Sequence, residues 1–250
     1  RYIRDGDHNV GKVLTLGTPW LGAPKSIPAF ETGSFGLVNL LIKKSVLKEI
    51  APYLKGAQEL IPSRAYTDEL TTNVQGSYPL GEDGWDDFDG SSTRTPRYSF
   101  PFLKIAMNYR YPPNSPGTVT DIFHNRPGQD DWRGLTTAVD YYQFIGFGPG
   151  LLDHTIGTVL AKRDISGYDY LATVDTEGDG TVPLVSARRF GRQNFQGAEL
   201  RAERFFPTNH SGLASNPMVF PAIGCVLTNV NPNSCLNNLS PANGLANLEN

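Results

Sequence analysis

Gly178-Asp179-Gly180-Thr181-Val182-Pro183 is followed about thirty residues later by Asn209-His210-Ser211-Gly212, and the reading of these two stretches decides the fold. An acid first and a histidine second, each in a glycine-bearing turn, is the order of the last two members of a nucleophile, acid and histidine triad. The nucleophile comes earliest in that order, on a Gly-x-Ser-x-Gly turn. No such motif occurs in the 250 residues: Gly33-Ser34, Gly76-Ser77 and Gly90-Ser91 all have the wrong spacing. The expectation is an acid and a base whose serine lies upstream of Arg1.

The first residues carry the same expectation. Arg1-Tyr2-Ile3-Arg4 reads as the end of a helix already under way, with Gly6 as its cap and Asp7-His8-Asn9 as loop. Lys12-Val13-Leu14-Thr15-Leu16-Gly17 then reads as a strand apolar on both faces, the kind that belongs in a parallel sheet. A turn rich in Gly and Pro follows immediately, from Gly17 to Lys25.

Val13 to Lys25, with Gly17-Thr18-Pro19-Trp20-Leu21-Gly22, resembles the strand and loop after the nucleophile helix in lipases and in the lecithin:cholesterol acyltransferases and phospholipid:diacylglycerol acyltransferases. Gly178 to Pro183 is similar to the acid loop of that group, and Leu60-Ile61-Pro62-Ser63 to a short landmark of its lid region. The landmarks run from Val13 to about Leu227. Gly-Thr-Pro by itself is shared by many lipases; the acid motif at this distance from a histidine is more specific. The resemblance implies an α/β fold: the carboxyl-terminal part of an α/β-hydrolase sheet carrying a helical and irregular lid insertion. It also implies that Trp20 and Leu21, just past the first strand, line an acyl pocket. The plain alternative is that Trp20 packs the insertion against the core.

On this reading residues 1–28 and 135–227 form the core of a single partial domain, 29–134 the lid insertion and 228–250 a tail. Leu37, Leu40, Leu41, Val46, Leu47, Ile50 and Leu54 have helical spacing, with Pro52 breaking the run. Gln75 to Pro96 is Gly, Asp, Ser and Thr rich and reads as loop, and the acidic run Glu82 to Asp89 as its solvated part. Val139 to Gly146 reads as a strand, Ile156 to Lys162 and Tyr168 to Asp175 as a hairpin leaning out of the sheet, Ala198 to Phe206 as the final strand, and Pro217 to Val226 as the closing helix.

The chemistry requires the pair. A serine hydroxyl is a weak nucleophile near neutral pH, so an imidazole must take its proton and later return it to the leaving alcohol. A carboxylate on the other ring nitrogen fixes the tautomer and stabilises the imidazolium. His210 is the candidate base and Asp179 the candidate acid, expected within hydrogen-bond reach at one edge of a mostly parallel sheet. Asp175 and Glu177 are rivals for the acid, and a surface turn without catalytic role is the plain alternative. Asp175-x-Glu177-x-Asp179-Gly180 partly imitates a calcium loop, but Ser186 stands where the twelfth-position glutamate belongs. His8, His124 and His154 lack catalytic-loop context, and the four histidines have no metal-ligand spacing. No metal or cofactor is expected, and the oxyanion-hole donors would lie upstream of Arg1.

Composition sets the remaining limits. With 39% hydrophobic residues the chain can bury one substantial core, and a net charge of -3 argues against nucleic acid as partner. The partners expected are a lipid or other ester substrate and a peripheral lipid surface; no apolar run of about eighteen residues spans a membrane. Cys225 and Cys235 either form a disulfide or remain as two thiols, one buried in a helix. The Asn, Gly and Pro rich tail points to an extracellular or cell-envelope protein. A bacterial source is expected because Asn209-His210-Ser211 is a glycan acceptor pattern whose glycan would obstruct the base. The reading from a different class is a noncatalytic hydrolase-like binding module.

Overall fold

The computed structural model describes residues 9–34, 40–62, 66, 100–102, 105, 139–147, 154–188, 199–229 and 231–239. Outside them lie the helix end at 1–5 with Gly6 and His8, Leu37, Ser63, the loop at 75–96 with its acidic run, His124, and the last eleven residues of the tail. The elements in chain order are β1 (Lys12–Leu16), α1 (Ser26–Thr32), α2 (Lys44–Ile50), α3 (Lys55–Gln58), β2 (Asp140–Gly146), β3 (His154–Arg163), β4 (Asp169–Glu177), α4 (Leu184–Ala187), β5 (Glu199–Phe206), α5 (Phe220–Thr228) and α6 (Pro232–Asn238). Single 3-10 turns occupy Ala51–Tyr53 and Ser211–Ala214. No described helix is long and apolar enough to cross a membrane.

The chain divides into two compact units, one of Arg1–Trp20, Trp132–Thr155 and Glu177–Asn250, the other of Leu21–Asp131 and Ile156–Thr176. The first unit is built on a parallel sheet of order β1-β2-β5. β1 and β2 run in step from Lys12 opposite Asp140 to Leu16 opposite Phe144, while the β2 and β5 register shifts by one residue between Tyr141 and Tyr142. Parallel strands cannot be joined by tight turns, so each needs a long crossover. Among the described residues the architecture is therefore α/β, with a parallel sheet of three strands.

Strand alternation divides the apolar residues of β2 between two faces. Tyr142 and Phe144 pack with Ala202, Phe206 and Leu213 against Val219, Ala222, Cys225 and Val226, the inner face of α5 and its approach. The Phe144 and Phe206 rings meet at 5.2 Å between centroids, tilted by 57°. On the other face Ile145 packs with Val182, Leu184 and Ala187 around α4. β5 carries Arg201, Glu203 and Arg204 on the outer edge of the sheet, where charge discourages further strand pairing. Glu203 accepts from the buried Gln143 amide and pairs with Arg188 at 3.1 Å. Lys12 reaches the carboxyl end of α5, donating to the carbonyls of Val226 at 3.0 Å and Asn229 at 2.6 Å, where a cation suits the helix dipole.

α5 is not the closing helix. Pro217 to Val219 form a turn before it, and a further helix, α6, follows within what reads as tail. Its start has a local cause: Asn231 caps it, accepting from the Ser234 N–H at 3.5 Å, and Pro232 takes the first turn, where no backbone donor is needed. Cys225 on α5 is bonded to Cys235 on α6, with Cα atoms 5.6 Å apart. The closed loop spans ten residues, for which the chain-entropy estimate is about 2 to 3 kcal/mol. Replacing both cysteines by alanine should lower the denaturation free energy by about that amount, measured in urea; an unchanged midpoint would show that the bond carries no stability.

In the second unit α1 buries Ile27 and Phe30 and ends at Gly33. The Leu60 carbonyl accepts from the Ala23 N–H at 2.7 Å and the Ser26 hydroxyl at 3.0 Å, pinning the 60–62 segment to the turn before α1. Pro52 breaks the helical run as its chemistry requires, splitting α2 from α3 with a 3-10 turn. Of the helically spaced apolar residues that are described, Leu47 is buried and Leu40, Leu41, Val46, Ile50 and Leu54 are exposed. The β3 and β4 strands pair through a short turn at 164–168, which makes them antiparallel. Asp164 accepts from the Ser166 and Tyr168 N–H groups and closes that turn. Tyr66 donates to the Gly157 carbonyl at 2.7 Å, and burial pushes its phenol well above the ordinary tyrosine range.

Candidate functional site

Three chain segments meet at the carboxyl ends of the parallel strands. Gly17 follows β1 directly and donates its N–H to the Phe144 carbonyl at 2.8 Å, extending the ladder by one residue. Gly146 ends β2. After β5 the Thr208 N–H turns back to the Phe206 carbonyl at 2.8 Å, and His210 stands at the head of the Ser211–Ala214 turn. In open α/β sheets ligands gather outside this edge.

The acid arrives on a tight loop after β4. Gly178 and Pro183 form an antiparallel bridge, and the Asp179 N–H donates to the Val182 carbonyl at 3.2 Å. The carboxylate turns into its own loop: Oδ1 accepts from the N–H groups of Thr181 at 3.0 Å and Val182 at 2.7 Å. Oδ2 lies 2.8 Å from His210 Nδ1. A backbone bond runs beside it, from the His210 N–H to the Asp179 carbonyl at 2.8 Å. Side chain and main chain thus fix the same pair of residues.

The histidine loop is equally constrained. Asn209 Oδ1 accepts from the Ser211 hydroxyl at 3.0 Å and the Gly212 N–H at 2.8 Å, shaping the turn. Leu213 anchors it in the core with 1% exposure. Asp179 is 2% exposed and the His210 side chain 38%, so the carboxylate is sealed while the imidazole reaches solvent. Because a carboxylate only accepts, Nδ1 carries the proton of this bond, which leaves the lone pair on Nε2. That is the tautomer a general base requires.

The rival acids are placed elsewhere. Asp175 and Glu177 lie within β4 and are exposed, so neither belongs to a calcium-type loop. His154 is an exposed residue at the start of β3. Trp20 is half-buried, with its backbone N–H on the Thr18 carbonyl at 3.0 Å, and Leu21 is a core side chain of the second unit at 1% exposure.

Sequence reasoning missed three residues around the pair: Gly17, Gly146 and Leu213. A Cβ at Gly146 would stand 2.6 Å from the Thr208 carbonyl oxygen and 2.9 Å from Asp179 Cβ, so the acid's stem packs directly on the end of β2. The available signal was a glycine as the last or next residue of two strands that both read clearly. The chain matches no protein-family model and no curated protein.

Proposed function

We propose that this chain supplies the acid and base of a serine esterase, lipase or O-acyltransferase of the α/β-hydrolase kind, resembling the lecithin:cholesterol acyltransferase group. The observation that carries the reading is the Asp179 and His210 pair at 2.8 Å, buried on the acid side and open on the imidazole side, at the carboxyl edge of a parallel sheet. In the intact protein His210 Nε2 takes the proton of a serine hydroxyl as that oxygen attacks an ester carbonyl. His210 then returns the proton to the departing alcohol, leaving an acyl-serine. Water or an acceptor alcohol, deprotonated by the same nitrogen, takes the acyl group. Asp179 holds the ring and stabilises the imidazolium formed in each half.

The serine belongs to a segment ahead of these residues, because no Gly-x-Ser-x-Gly occurs in the chain and the nucleophile precedes the acid and the base in this order. β1 is an apolar strand without a proline, a character that supports pairing on its other edge with a strand carrying the nucleophile. Trp20 is assigned to the acyl side of the site by the resemblance. The exposed Leu40, Leu41, Val46, Ile50 and Leu54 support contact with a lipid surface, and the Cys225 to Cys235 bond supports an extracellular or cell-envelope location.

The chain of residues 1–250 alone should show no hydrolysis of a p-nitrophenyl ester above background, and a form extended to include the upstream serine motif should show it. Burst release by the short chain, abolished on changing one of its own serines, would place the nucleophile within these residues. Inactivity of both forms would favour a noncatalytic binding module.

A further inference from the structure

Gly17 has a backbone angle φ of +57°, and a Cβ built on it would lie 2.8 Å from Asp179 Oδ2, 2.9 Å from His210 Nδ1 and 2.8 Å from Leu213 Cδ1. All three atoms belong to the assembly just described, and two of them are the two ends of its central hydrogen bond. The end of β1 therefore lies flat against that bond, at a distance only a hydrogen atom can fill. Leu213 stands against the same point, and the carboxylate behind it is 2% exposed. A water molecule that reached the bond would compete for both the Nδ1 proton and Oδ2. A hydrogen bond walled off from water is worth more and is more exacting in its geometry.

We infer that Gly17 is a positioning residue of the pair: its missing side chain lets the β1 terminus close over the Asp179 to His210 hydrogen bond, holding the imidazole in the Nδ1–H tautomer and keeping water off the bond. The catalytic consequence rests on the proposed function, but the effect on the histidine does not. An added methyl group must push Asp179, His210 or Leu213 aside, and each of the three is fixed by other bonds or by the core. The displacement falls on the hydrogen bond.

The test uses the 250-residue chain with nitrogen-15 labelled histidine. The unsubstituted protein should show a downfield His210 Nδ1–H resonance that exchanges slowly with solvent. In Gly17→Ala that signal should be lost or exchange-broadened while the backbone spectrum stays folded. Gly167→Ala is the control for backbone strain alone, since Gly167 has a φ of +82° and nothing within 4 Å of a built Cβ; it should leave the signal unchanged. In the serine-bearing protein Gly17→Ala should lower kcat roughly 10- to 100-fold with KM unchanged, the size expected for a small misplacement of a catalytic group. A folded Gly17→Ala protein with the original resonance and exchange rate overturns the inference and leaves the proposed function standing. Should Gly17→Ala fail to fold, the unsubstituted protein still decides: Nδ1–H exchange as fast as in an exposed imidazole overturns the shielding. Absence of any Asp179-bound Nδ1–H would sink both this inference and the proposed function.

Discussion

On the proposed function, Asp179→Asn should lower kcat of the serine-bearing protein by roughly two to four orders of magnitude, as expected when the carboxylate that sets the imidazole tautomer is lost. The amide is close in shape, so the buried loop is retained. Its oxygen can still accept from Thr181 and Val182, which directs its NH2 toward His210 Nδ1. Facing a donor, Nδ1 becomes the unprotonated nitrogen, and the proton moves to Nε2, where the lone pair is needed. Asp175→Asn and Glu177→Gln should cost less than about threefold, because both side chains are exposed on β4. Each variant needs a thermal melt close to that of the unsubstituted protein for the comparison to count. Near-normal turnover in folded Asp179→Asn, beside a crippled Asp175 or Glu177 variant, would transfer the role.

The dyad was legible in the sequence for a chemical reason. A carboxylate that must turn back on its own loop needs small, permissive neighbours, and Gly178 and Gly180 flank Asp179. The strands were legible because Val13 to Leu16, and every residue from Tyr141 to Ile145 except Gln143, are apolar, aromatic or β-branched, as strands of a parallel sheet tend to be. What stayed hidden depends on contacts distant in the chain. Asp175 and Glu177 stayed open as rivals to Asp179 until the fold showed Asp179 buried and bonded to His210 and the other two exposed on β4. The part played by Gly17 rests on residues more than 160 positions away, Asp179 and His210.

One misreading has a local explanation. α6 lies in an Asn-rich stretch of weak helix formers, where the Asn231-Pro232 start and the bond from Cys235 to Cys225 act together. The helical spacing from Leu40 to Leu54 does correspond to helices on either side of Pro52, and the structure adds that Leu40, Leu41, Val46, Ile50 and Leu54 are exposed. Periodicity marks an apolar stripe; it does not say what covers it.

The second large effect is expected at His210. On the proposed function, His210→Gln removes the group that takes the serine proton and should lower kcat by roughly four to six orders of magnitude, since loss of the base costs nearly as much as loss of the whole triad. The most direct measurement is the rate at which a fluorophosphonate probe labels the serine-bearing protein, with the labelled residue located by peptide mapping. The account predicts rapid labelling of a single serine ahead of residue 1, slowed at least about a thousandfold in a folded His210→Gln protein. Equal labelling rates in the two proteins would contradict it.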